Sequence, residues 1–245
     1  MKFILSAVFF LSPFFSVHSA NAQLRGEDSL NFQAAAQKTI AVYYNQLDDQ
    51  SPLYNGSLYI AYEFLFKTGS PYFSTDKFTN GSLVYNGMLF DNISLLYDDL
   101  QQFLILNKTN YPIQLVNERI SSFTITGHTF IRLVADSLKT GIHKTGFYQI
   151  LYPGRTQVLK WTSKNIQTEL SITEGVLRYI EESDAYYIKA GAFYKRIKSK
   201  TEFLEVMKLH KKDVQRFMRK NKLNFRKDRD NTITQAAGYY DQLVK

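Results

Sequence analysis

The chain contains no cysteine. That rules out disulfide staples, a cysteine nucleophile and any thiolate metal site. Tryptophan occurs once, at Trp161, so aromatic recognition would rest on the 17 tyrosines and 19 phenylalanines. Histidine is scarce. Beyond residue 22 only His128, His143 and His210 occur, and no two stand at a His-x-x-x-His spacing, so the fold would have to assemble any histidine metal site. There is no Gly-x-Ser-x-Gly nucleophile elbow and no glycine-rich phosphate loop. Long apolar runs are missing except at the start, where residues 3–17 are apolar apart from Ser6, Ser12, Pro13 and Ser16.

That run follows Met1-Lys2 and precedes the small residues Ala20 and Ala22. It is shorter than the roughly 20 residues that span a bilayer. The pattern predicts a secretory signal peptide over residues 1–22, cleaved before Gln23, and hence a secreted or periplasmic chain. No cysteine follows the run to carry a lipid anchor, and no later segment is long and apolar enough for a transmembrane helix. A cysteine-free exported domain of this size leans bacterial.

What is present is a repeated style of short apolar runs and two-residue polar breaks. Residues 83–105, LVYNGMLFDNISLLYDDLQQFLI, show it best, with breaks at Asn86-Gly87, Asp91-Asn92 and Asp98-Asp99. Asn-Gly accepts the positive φ of a hairpin turn, so the stretch reads as an antiparallel meander. The same reading extends to Asn80-Gly81, Gly127-His128, Pro153-Gly154 and Ala190-Gly191, while Asn55-Gly56 either turns a hairpin or simply opens a strand. The fold class predicted is mainly β (α+β): an antiparallel β-sandwich or open barrel of about ten short strands. A polar segment and helix fill residues 23–52, with the helix over 31–46. The β domain covers 53–198, and a basic helical pair, 199–245, packs on it through Phe203, Leu204, Met207, Phe217 and Tyr240. A capping box at Ser199 and Glu202 opens the first of these helices, and Asp230 or Asn231 caps the second.

Charge is concentrated in that tail. From 195 to 229 there are 14 Lys and Arg against four Asp and Glu, a net of +10, whereas the whole chain carries +8. The body is therefore close to neutral. Lys208, Lys211, Lys212, Arg216, Arg219 and Lys220 are the candidate binding residues, facing an anionic envelope polymer or another envelope protein. The alternative is a solvated helix face whose long stems cover apolar surface. Nucleic acid is disfavoured, because aromatics are not interleaved with the basic run.

No catalytic residue is assigned and no cofactor is expected. Asp98-Asp99 is a carboxylate pair, but neighbours on a turn normally point apart into solvent. His128 with Asp136 would suit a general base, yet a turn histidine is more often merely exposed. Tyr85, Tyr97, Tyr148, Tyr152, Tyr186, Tyr187 and Tyr194 would suit a sugar-binding face or, more simply, core packing. The leading expectation is a non-enzymatic binding or scaffold module. A hydrolase of envelope glycans, with a site built from scattered carboxylates and histidine, is the alternative. An assembly subunit is a third class.

Two segments carry a resemblance. The tail, from YYIKAGAFYKRIKSK through NKLNF to the terminal Tyr239-Tyr240, and the body segment GSLVYNGMLFDNISLLYD are similar to exported proteins of Bacteroidota. The resemblance implies a location in the bacterial envelope. It supplies no activity and no functional residues.

Overall fold

The computed structural model describes residues 52–108 and 111–244. The expected signal peptide and N-terminal helix lie outside them. The described residues form eleven strands: β1 (Ser57–Leu58), β2 (Thr79–Tyr85), β3 (Met88–Asp98), β4 (Phe103–Lys108), β5 (Tyr111–Gln114), β6 (Ile120–Ile125), β7 (His128–Leu133), β8 (Gly146–Tyr152), β9 (Val158–Ser171), β10 (Gly175–Ala190) and β11 (Phe193–Ile197). The mainly β, antiparallel expectation holds. All eleven join one open sheet in the order β1-β5-β4-β3-β2-β6-β7-β8-β9-β10-β11. The strands are not uniformly short, because β9 and β10 run for 14 and 16 residues and pair along almost their whole length.

The meander β2 to β5 is there. The chain then returns through a tight turn at Asn117–Arg119 and lays β6 on the free side of β2. The three polar breaks have three different outcomes. Asn86 and Gly87 take positive φ and form the β2–β3 hairpin turn as read. Asp91-Asn92 is no turn but a bulge inside β3, with Asn92 at positive φ. An extra residue flips the side-chain parity. This puts Phe90 before the bulge and Leu95 and Tyr97 after it into the same core. Asp98 ends β3, and Asp99 follows in the turn to β4.

Asn80-Gly81 is not a turn either, since both lie within β2. A Cβ on Gly81 would sit 2.2 Å from the Thr124 carbonyl oxygen, so the glycine is required by the close approach of β6. Gly81→Ala is expected to destabilise the fold by about 1–3 kcal/mol through forced separation of the two strands. Urea denaturation reads this as a lower midpoint with an unchanged slope.

The sheet is rolled around its own core. In a flat sheet β3 and β8, four strands apart, would be separated by roughly 19 Å. Yet the Tyr97 and Phe147 rings lie 5.9 Å apart, with Phe123 and Phe130 stacked beside them at 4.8 Å. That core takes buried side chains from β2 to β8.

Beyond β8 the same face is covered by helices α1 (Lys200–Val206), α2 (Lys211–Lys220) and α3 (Arg229–Leu243). The expected helical pair is therefore three helices. The first is broken at Met207, where a tight turn at Lys208–His210 redirects the chain. Ser199 caps α1 by accepting from the Glu202 N–H, while the Glu202 carboxylate accepts from the Lys198 N–H. Asp228, not Asp230 or Asn231, caps α3. The helices bury Phe203, Leu204, Met207, Val214, Met218, Ile233, Ala236 and Ala237 against Val158, Tyr186, Ile188 and Ile197 of the sheet. Phe217 is half-buried and stacks flat on Tyr239 at 4.2 Å. The opposite face of β8–β10 holds a third cluster around Tyr148, Leu159 and Tyr187, closed by Ile142. Burial on both faces is why these strands show apolar runs and no alternation.

Candidate anion-binding surface

Two carboxylates fix α3 to the sheet, one at each end, and so fix the surface that the helices present. Asp230, in the first turn, accepts from Lys160 at 2.9 Å and from the Tyr186 hydroxyl at 2.5 Å. Burial works to lower the Lys160 pKa, but Asp230 and Asp184 outweigh it and hold the ammonium above its usual range. Near the other end, Asp241 accepts from the Thr156 N–H and the Tyr152 hydroxyl.

On this base α2 turns one face inward through Val214 and Met218. At 3.6 residues per turn, Lys212, Arg216, Arg219 and Lys220 fall within an arc of about 100° on the opposite side. All four are exposed. Arg216 makes a 3.5 Å ion pair with Asp213 of its own helix. Lys212, Arg219 and Lys220 pair with no carboxylate among the described residues. Lys211 is set apart from the arc. It is held by Glu205, whose carboxyl it keeps below its usual range. Lys208 is exposed in the tight turn before α2. The structure thus brings four of the six predicted residues onto one face and leaves Lys208 and Lys211 beside it.

The excess charge has structural uses as well. Arg219 and Lys220 stand in the last turn of α2, where cations favour the helix dipole. Lys195 and Arg196 lie on β11, an edge strand, where charge deters pairing with another chain.

Sequence reading missed a second basic feature. The residues around Lys198 and Lys200 and those around Arg226 and Arg229 are separated by α1 and α2, yet they line one cleft of about 570 Å³. Leu223 and Phe225 supply its apolar wall. The Arg229 guanidinium lies 4.8 Å from the Phe225 ring centre and 5.2 Å from that of Tyr186. The available signal was the pair of dense basic runs, KRIKSK and FRKDR, at the two ends of the helical segment.

The remaining candidates are interior or structural. Asp98 and Asp99 do point apart, but into the protein and not into solvent. They are 0 % and 4 % exposed. Asp98 accepts from the Tyr59 and Tyr62 hydroxyls at 2.9 Å and from the Gln101 N–H. Asp99 accepts from Gln102 and lies 3.7 Å from Lys164. Burial pushes the Asp99 carboxyl up to about 6, against the opposing pull of Lys164. Lys164 also donates to the carbonyls of Ser70 and Tyr72, so the pair clips the segment before β2 to β9.

His128 begins β7. Its Nδ1 meets the Gln149 amide at 3.0 Å and its ring packs on Phe73. The Asp136 carboxylate instead accepts from the Lys139 N–H. Of the seven tyrosines considered for sugar binding, Tyr85, Tyr97, Tyr148, Tyr186 and Tyr187 are buried, and Tyr152 and Tyr194 are half-buried. They pack the core. Among the described residues, no three His, Asp or Glu side chains are grouped to hold a metal, and no helix is long and apolar enough to cross a membrane.

Comparison with family models, curated proteins and solved structures gave no match.

Proposed function

We propose that the protein is a non-enzymatic binding module of the bacterial envelope that holds an anionic polymer against the outer face of α2. The observation that supports this reading most is the arc of Lys212, Arg216, Arg219 and Lys220, three of them without a carboxylate partner among the described residues. A solvated helix face of ordinary composition mixes both signs, whereas the arc from Lys212 to Lys220 carries a single sign over about two and a half turns. The paired carboxylates lie in the interior and give no accessible acid–base pair, which weighs against a glycan hydrolase. Export to the envelope follows from the N-terminal pattern and stands as part of the same proposal.

Reversing Lys212, Arg219 and Lys220 to Glu tests it. These side chains are exposed, so the variant is expected to fold, with a melting temperature lowered by a few degrees because two anions then stand in the last turn of α2. Binding to an acidic polysaccharide, read by calorimetry at low salt, is expected to fall by at least about a hundredfold, as attraction at three positions becomes repulsion. Unchanged affinity would reduce the arc to a solvated face.

A further inference from the structure

The cleft between the start of α1 and the link from α2 to α3 has properties that the α2 arc lacks. It is concave, and Lys198, Lys200, Arg226 and Arg229 line it with no Asp or Glu among its walls. None of the four is ion-paired among the described residues. The nearest acids in sequence are engaged elsewhere: Asp228 accepts from the Asn231 N–H, Asp230 from Lys160 and the Tyr186 hydroxyl, and Glu202 from the Lys198 N–H. Arg229 is held in place by the rings of Phe225 and Tyr186. The Asn224 carboxamide oxygen is taken by the N–H groups of Arg226 and Lys227, which leaves its NH₂ as a donor. Ser199 accepts from Glu202, which leaves its hydroxyl proton as a donor.

We infer that this cleft is a binding site for a phosphorylated sugar unit. Four cations exceed what one carboxylate would balance, and a phosphate monoester carries close to two charges at neutral pH. The guanidinium forks match phosphate oxygens in pairs. The apolar side formed by Leu223 and Phe225 suits the face of a sugar ring, and a volume of about 570 Å³ admits one or two such rings. The inference rests on the reading of the tail as an anion-facing surface. It adds a discrete pocket for a single charged unit beside the extended face for a polymer.

The test uses the whole exported chain and two probes: a free hexose 1-phosphate, and neutral phosphatidylcholine vesicles carrying a phosphorylated glycolipid. The uncharged hexose and plain vesicles are the blanks. Lys200 and Arg226 are exposed, so Lys200→Ala with Arg226→Ala removes two of the four cations and leaves Arg229 on its rings. Saturable binding to either phosphorylated probe, weakened at least roughly tenfold in the double variant, is expected. Which probe binds tells a soluble sugar phosphate from a lipid headgroup. Absence of saturable binding to both probes, or equal binding by the double variant, overturns the inference. The α2 reversal variant separates the two proposals. If it still binds the sugar phosphate but not the polymer, the two sites are distinct. If the pocket variant binds both probes like the parent while the reversal variant loses the polymer, the pocket fails and the reading of the α2 face stands.

Discussion

Replacing Phe203 with alanine is expected to cost about 3–5 kcal/mol, the range for a fully buried aromatic side chain. Phe203 is fully buried on α1, 6.0 Å from Phe225, in the cluster that joins all three helices to β9, β10 and β11. Its removal opens a void between helix and sheet that neither can close, because Asp230 and Asp241 hold α3 at both ends. A loss of that size is a large share of the 5–15 kcal/mol that stabilises a typical domain. Urea unfolding followed by circular dichroism checks it. A cost below about 1 kcal/mol would mean that the helices do not depend on this contact. Because the basic arc is carried on these helices, the variant is also expected to lose polymer binding at temperatures where the parent keeps it.

The second large effect is at Lys164. Its side chain is 6 % exposed, between Asp99 and Glu182, and it donates to two carbonyls. Lys164→Met is expected to cost about 3–5 kcal/mol at neutral pH, because it leaves the buried Asp99 charge uncompensated. The pH dependence follows from the direction of the Asp99 shift. Its folded pKa, about 6, lies above the ordinary carboxyl value of about 3.8. Between these values the folded chain keeps a proton that the unfolded chain has released. Asp99 thus lowers stability as pH rises from about 4 to about 6, by something on the order of 3 kcal/mol. Its contribution is most favourable below the unfolded pKa. In Asp99→Asn this decline is expected to vanish. In Lys164→Met it should deepen and extend to higher pH, because the cation that opposed it is gone. The double variant, Asp99→Asn with Lys164→Met, is expected to recover part of the loss at pH 7. Equal pH profiles for parent and Asp99→Asn would show that the carboxyl is not shifted.

What the sequence revealed, and what it hid, follows from which interactions are local. Asn86-Gly87 needs only its own positive φ, and it is the turn it was read to be. Asn80-Gly81 has the same composition, but its glycine answers to Thr124, which is more than forty positions away and invisible to a local reading. The extended character of Thr168 to Ile180 is legible in the sequence, but the length of the β9–β10 ribbon is not, because its outer part is exposed on much of both faces and no alternation marks Ser163 to Ile180 as one strand pair. The capping box at Ser199 is local and held. The helix break at Met207 and the cap at Asp228 depend on how the helices meet the sheet. The arc on α2 could be read from period alone. The cleft could not, because its two basic runs meet only after α1 and α2 fold back, and the interior position of Asp98 and Asp99 depends on the segment that Lys164 clips over them.

The most direct measurement is equilibrium binding of the chain to an acidic polysaccharide and to an uncharged one of equal length, each at about 50 and about 300 mM salt. Selective binding to the acidic polymer, weakened at least roughly tenfold at the higher salt, is the result expected of a basic face on which three of four cations have no carboxylate partner among the described residues. Equal affinity for the two polymers, or binding that salt leaves unchanged, would contradict it.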